Sequence, residues 1–231
     1  IQSGSMLPAK KGRFYMDYDV FNGDADGICA LIQLRRADPR PNAELVTGVK
    51  RDIQLLERVP GVAGGQVTAL DISFDKNRDH VRRLLDADAK VFFCDHHFAG
   101  DIPQHPLLDV LISPAPEVCT SALINGRLRG RFTEWACVGA FGDNFDSTAD
   151  KLIENLEITV DRDALRQLGV CVNYNAYGAS LSDLHFTPAE LYQRMAQFDT
   201  PSALIEEDGV LFDTLTEAYT QDMHAANTAP R

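Results

Sequence analysis

Val91-Phe92-Phe93-Cys94-Asp95-His96-His97 is an apolar run that ends abruptly in a carboxylate and two imidazoles. Such a run reads as a buried parallel strand whose C-terminal end opens into a crevice, and the carboxyl ends of such strands are where open α/β sheets bind ligands. Two adjacent histidines on an extended backbone point to opposite sides, so one is expected to face a metal while its neighbour faces a substrate. A His-His pair alone is weak evidence. Three further acidic stretches strengthen it.

Upstream, residues 15–21 have a strand pattern, followed by Asn22-Gly23-Asp24-Ala25-Asp26-Gly27 and an apolar-periodic helix over 28–36. A strand, an acidic turn with glycines and a helix form the first half of a parallel α/β unit. Their spacing aims Asp24 and Asp26 toward one cation cluster, with the glycines permitting a tight turn. Helix capping is the plainer explanation of an Asp/Asn/Gly turn, but it accounts for one of these acids, not both. A second strand is expected over 43–49, a short helix over 52–58 and a third strand over 66–70. That strand delivers Asp71 to the position that Asp24 holds after the first. The spacing predicts a helix over 74–86 with Asp75 as its N-cap and Lys76, Arg78, Arg82 and Arg83 on a solvated face.

Downstream, a strand is expected over 107–112 and then a helix capped by Thr120 or Ser121. The backbone amides there would receive a phosphate or serve simple capping. Thr133 is expected to cap the next helix, whose apolar segment 135–141 leads to Gly142-Asp143-Asn144. A carboxylate on such a buried segment is costly unless it is paired or bound to metal. Beyond it the pattern is helical, over 151–156, 162–174, 188–198 with Thr187 as N-cap, and from Ser202 or Leu211 to about Ala225. The stretch 173–178 is polar and aromatic enough to line a crevice, but reads first as a helix C-terminal cap ending at Gly178, and His185 reads as a surface or satisfied histidine.

Ile1 to Ser5 have the look of an expression-tag remnant, with native sequence expected from Met6. Hydrophobic residues make up 45% of the 231, with no apolar run long enough to span a membrane and no signal-peptide core. A soluble, cytoplasmic protein is expected. The five cysteines, Cys29, Cys94, Cys119, Cys137 and Cys171, form no C-x-x-C pair, which favours reduced, buried thiols over disulfides or a zinc site. A net charge of −12 argues against a long duplex footprint and only mildly against small phosphorylated substrates. Oligomeric state is not readable.

Asp24, Asp26, Asp71, Asp95, His96, His97 and Asp143 together make the chemical constellation. Carboxylates converging on one crevice repel and raise one another's pKa unless divalent cations hold them. Oxygen ligands with imidazole suit Mn²⁺, with Mg²⁺ as the alternative, whereas structural Zn²⁺ calls for thiolates. A pair of ions roughly 3.5–4 Å apart would serve phosphoester or phosphoanhydride hydrolysis.

NGDADG, LDIS, CDHH and AFGDN, in this order, resemble the four motifs of the DHH phosphoesterase superfamily, which includes RecJ-type exonucleases, nanoRNase/pAp phosphatases, cyclic-dinucleotide phosphodiesterases and family II inorganic pyrophosphatases. The DHH triplet alone is unspecific, but four ordered motifs over residues 22–144 are a strong signal. The resemblance implies Asp24, Asp26, Asp71, His96 and Asp143 as ligands of two metal ions, with Asp71 bridging. It also implies that Asp95 orients a neighbouring imidazole and that His97 contacts the substrate phosphate, so that Asp71, Asp95 and His97 carry the catalysis. Two departures stand out, one around the first motif and one downstream. Where pyrophosphatases and nanoRNases carry a histidine, four residues before the first motif aspartate, this chain has Val20. Where RecJ-type proteins carry an acid, it has Asn22, a poorer ligand for metal or substrate. A glycine-rich motif ending in histidine, usual in the superfamily's second domain, does not occur before Arg231, so the chain is expected to be a fragment or a form without that clamp.

The expected architecture is therefore a parallel five-stranded α/β domain flanked by helices, over 6–185, with a helical extension over 186–231. Its expected activity is Mn²⁺-dependent hydrolysis of short single-stranded oligonucleotides or small nucleotides. The competing expectation is a degenerate module that binds a nucleotide or protein partner without hydrolysis.

Overall fold

The computed structural model describes residues 15–61 and 64–228, so the expected tag remnant at Ile1 to Ser5 lies outside the described residues. Five strands, β1 (Tyr18–Phe21), β2 (Glu44–Val46), β3 (Gln66–Leu70), β4 (Lys90–Asp95) and β5 (Leu108–Ile112), form one sheet in the order β2-β1-β3-β4-β5. All neighbouring pairs are parallel. The strand order reverses between β1 and β3, and a ligand crevice belongs outside their carboxyl ends. The fold class is thus the expected parallel α/β sheet flanked by helices.

Register explains why both faces are buried. Val20 pairs with Ala69, Ala69 with Phe93 and Phe93 with Val110, forming one apolar row across four strands. This row packs against Phe74, Val81 and Leu84 of α2 (Phe74–Asp86) and Leu55 and Leu56 of a 3-10 turn. Alternation of side chains sends Phe21, Leu70 and Cys94 to the other face. There they meet α1 (Ala25–Ala37), α3 (Thr120–Arg127), α4 (Thr133–Gly142) and α6 (Arg162–Asn175) in a larger cluster. Leu191 and Met195 of α7 (Pro188–Met195), Leu204 of α8 (Pro201–Glu207) and Leu211 and Leu215 of α9 (Gly209–Thr228) belong to that same cluster, and α5 (Asp146–Glu154) adds Ala149. The segment after residue 185 therefore shares the core of the sheet. All five cysteines are buried and free, and no helix among the described residues is long and apolar enough to cross a membrane.

β3 and α2 fall where the sequence pattern puts them, and Thr187 caps α7 through Glu190 N–H as expected. The other caps differ, and each displaced side chain has another partner. Ser73, not Asp75, caps α2, and Asp75 instead pairs with Arg78. Thr133 is the first residue of α4, its hydroxyl within hydrogen-bond reach of Gly130 O at 3.0 Å and Asn125 Oδ1 at 3.2 Å. Nor is the basic face of α2 simply solvated. Arg78 donates to Ala99 O, and Arg83 to Leu56 O and Val59 O.

The crossing of α4 and α6 depends on two glycines. A Cβ on Gly169 would lie 2.4 Å from Val138 O and 2.9 Å from Gly142 N, both backbone atoms of α4. Gly169→Ala is expected to force the helices apart and destabilise the fold by about 1–3 kcal/mol. A melting curve checks this; an unchanged midpoint would mean that the helices part freely.

Candidate metal centre

The crevice begins where β1 ends. Asp24 is the N-cap of α1, its Oδ1 accepting from Asp26 N and Gly27 N at 3.1 Å each. This cap starts the helix at Ala25, three residues earlier than the periodicity predicts, and puts Asp26 in the first turn rather than in an extended turn. Asp26 is fully buried. Its two oxygens accept from Thr120 N and Ser121 N, both at 2.7 Å. The amides expected to receive a phosphate or serve simple capping are met here by the carboxylate of Asp26, an anion at the N-terminus of α3. Cys119, rather than Thr120 or Ser121, is the N-cap residue of α3. The Thr120 hydroxyl is used elsewhere, donating to Asp71 Oδ1 at 2.9 Å.

Asp71 follows β3 in the left-handed region, at φ 57. Burial pushes its carboxyl well above the ordinary range, and the carboxylates of Asp24, Asp26, Asp95 and Asp143 add to the push. β4 ends on Asp95, which is fully buried. Its Oδ1 accepts from His96 N at 2.9 Å and pairs with His97 Nδ1 at 2.7 Å. That hydrogen bond is the main reason the His97 pKa is raised. The two histidines do not diverge as an extended backbone would require. They follow the strand in a bend, and their rings lie side by side with centroids 4.3 Å apart. His96 Nε2 stands 3.5 Å from Asp71 Oδ1 and 3.5 Å from Asp143 Oδ2. Phe145 supports the His96 ring edge-on at 5.6 Å.

Asp143 is the C-cap of α4, so the helix carrying the buried 135–141 segment delivers it to the crevice. Burial raises its pKa, Asp26 and Asp24 raise it further, and Lys50 opposes them. Lys50 is the residue that sequence reasoning missed. Its Nζ donates to Asp24 Oδ2 at 2.6 Å, Asp143 Oδ1 at 3.0 Å and Asn173 Oδ1 at 2.9 Å. Burial pulls its pKa down, but Asp24 and Asp143 outweigh burial and the net direction is up. The available signal was position: Lys50 follows β2 as Asp24 follows β1 and Asp71 follows β3. Asn173 and Tyr177 come from the stretch read as a helix cap. The helix does end there, at Asn175, and Tyr177 sits 5.7 Å from Lys50 Nζ.

Two groups bring ligand atoms within 4.8 Å of one another among the described residues, Asp71-His96-His97 and Asp26-His96-Asp143. Asp24 belongs to neither, and the cap and Lys50 engage its two oxygens. Asn22 is buried and donates to Lys50 O at 3.3 Å, while its Oδ1 has no partner among the described residues. Asp95 Oδ2 is likewise buried without a partner among the described residues. The donor set is carboxylate and imidazole with no thiolate, which fits Mn²⁺ or Mg²⁺. The crowding of acids around buried Asp71 fits a site that a divalent cation would relieve.

No family model matches this sequence, and no curated protein matches it. Solved structures similar to it include RecJ in complex with Mn²⁺ from Thermus thermophilus, at 14% identity and a TM-score of 0.43 over 79% of this chain and 34% of that one. A second is an exonuclease RecJ bound to manganese, at 16% identity and a TM-score of 0.42 over 92% of this chain and 61% of that one. The chain thus spans less than two thirds of the length of either.

Proposed function

We propose that the chain is a DHH-type phosphoesterase that uses Mn²⁺ to hydrolyse short single-stranded oligonucleotides or small nucleotides. The observation that carries this reading is the convergence of Asp26, Asp71, His96 and Asp143 beside a His97-Asp95 pair, at the switch point of a parallel sheet. Asp71 and His96, joined by Asp143, would hold the cation. Bound there, it would supply the positive charge that attracts a phosphoryl oxygen and makes a water molecule more acidic. The chain's own groups do the rest. Asp95 fixes the His97 ring through Nδ1, which leaves the half-exposed imidazole's Nε2 to meet a phosphoryl oxygen. The raised His97 pKa favours the protonated, donating form.

Exposed aromatics favour a nucleotide over inorganic pyrophosphate. Phe98 follows His97 directly and is 76% exposed, and Tyr177 flanks Lys50 and is 57% exposed. Such faces stack bases without sequence preference. The net charge of −12 disfavours duplex DNA. In this reading the phosphoesterase domain covers 6–185, with 186–231 as its helical extension.

The test is hydrolysis of pAp, dinucleotides, short single-stranded DNA and pyrophosphate with Mn²⁺ or with chelator. Turnover of a nucleotide or oligonucleotide that chelation abolishes is expected. Turnover of pyrophosphate alone, or of nothing, would contradict the reading, the latter favouring a module that binds without hydrolysing. His97→Ala is expected to lower turnover by roughly 10- to 150-fold, the worth of about 1.5–3 kcal/mol for a hydrogen bond to a charged group. It should leave Mn²⁺ binding in place. A His97→Ala protein that no longer bound Mn²⁺ would instead make His97 a ligand.

A further inference from the structure

We propose that the Lys50 ammonium stands in for one of two divalent cations, so that the loaded chain holds a single ion and Lys50 supplies the second positive charge facing the substrate phosphate. This deepens the proposed function and rests on it.

An ammonium has three N–H donors and no acceptor. In this crevice each donor has an oxygen, on Asp24, Asp143 and Asn173, at 2.6, 3.0 and 2.9 Å. The three acceptors come from the start of α1, the end of α4 and the last turn of α6, so the ammonium ties together elements far apart in sequence. The Lys50 backbone is fastened as well, its N–H donating to Ala176 O at 3.0 Å and its carbonyl accepting from Asn22 at 3.3 Å.

The ligands for a second ion are correspondingly depleted. Asp24 spends one carboxylate oxygen on the α1 cap and the other on Lys50, and it joins neither ligand group. The two groups that do form share His96, and a single ring nitrogen serves one ion. Val20 is fully buried in the apolar cluster on the α2 face of the sheet and offers no ligand. Asp26 likewise gives both oxygens to the amides of Thr120 and Ser121. Asp71, His96 and the free oxygen of Asp143 remain, with His96 Nε2 3.5 Å from a carboxylate oxygen of each, a set suited to one cation. A single positive charge in place of a double one leaves this acid-rich site less fully neutralised, and it cannot be removed by chelators.

The test is Mn²⁺ stoichiometry on the full chain by equilibrium dialysis with elemental analysis, together with low-temperature electron paramagnetic resonance. Wild type is expected to bind one ion and give an uncoupled spectrum. Lys50→Met, which frees Asp24 and Asp143, is expected to bind two and show the coupling of a close pair. Lys50→Gln carries the same comparison if Lys50→Met does not fold. Two coupled ions in wild type would overturn the inference and leave the proposed function standing. One ion in both wild type and variants would also overturn it, since Lys50 would then not be what excludes the second. No ion in wild type would overturn the proposed function itself.

Discussion

Asp71→Asn is expected to remove hydrolysis and Mn²⁺ binding together while leaving the fold intact. Loss of a group that merely supports a ligand costs about 10- to 100-fold in metal affinity or activity, so loss of the carboxylate central to the site should cost at least about 100-fold. Asparagine is the informative replacement because residue 71 lies at φ 57, where Asn is tolerated and a larger apolar side chain is strained. Without metal, burial and then four neighbouring carboxylates raise the Asp71 pKa. A carboxyl raised in the folded state favours folding at low pH, and that contribution is lost as pH climbs through its folded value. At neutral pH the metal-free variant should therefore be as stable as wild type or more so, with the difference closing on acidification.

Mn²⁺ reverses the ranking. A ligand that binds only the folded state at a hundredfold excess over its Kd adds about 2.7 kcal/mol. For a chain of this size that is a rise of roughly 5–11 °C in Tm. Wild type should show the rise and Asp71→Asn hardly any. A variant with a wild-type shift and wild-type turnover would remove Asp71 from the centre.

The largest expected effect on stability lies in the sheet rather than in the crevice. Asp19 sits in the middle of β1 with its side chain 2% exposed, and Arg35 reaches it from α1. Arg35 Nε donates to Oδ2 at 2.7 Å and Nη2 to Oδ1 at 2.5 Å, a two-pronged pair, with Nη2 also donating to Thr68 Oγ1 at 2.7 Å. Arg35→Ala leaves a buried carboxylate without its partner, which costs about 3–5 kcal/mol. That corresponds to roughly 6–20 °C in Tm. Replacing both members with apolar residues of similar volume, Arg35→Met with Asp19→Leu, should restore most of the loss, because the pair's own desolvation disappears with it. Melting curves of the two variants measure this, and a single variant within about 1 kcal/mol of wild type would show that water reaches Asp19.

The strand ends were legible because the same local pattern recurs, an apolar run broken by an acid at Leu70-Asp71 and at Cys94-Asp95, and periodicity alone located β3 and α2. Lys50 was not legible. Its meaning lies in Asp24, Asp143 and Asn173, which only the folded chain brings to it. The Arg35-Asp19 pair was hidden for the same reason, since a polar residue inside a short strand looks like ordinary alternation until its partner across the α1 interface is known. Caps failed where a hydroxyl had a better distant use, as Thr120 does on Asp71. The histidines misled because the strand stops at Asp95, so the alternation rule no longer applies to His96 and His97.

The central claim is that a divalent cation sits on Asp71 and His96 at the carboxyl ends of β3 and β4. Diffraction from crystals grown with Mn²⁺, recorded at the manganese absorption edge, tests it most directly. An anomalous peak in contact with the Asp71 carboxylate and the His96 ring nitrogen is the predicted result. Manganese found only elsewhere on the molecule, with Mn²⁺-dependent turnover intact, would contradict it.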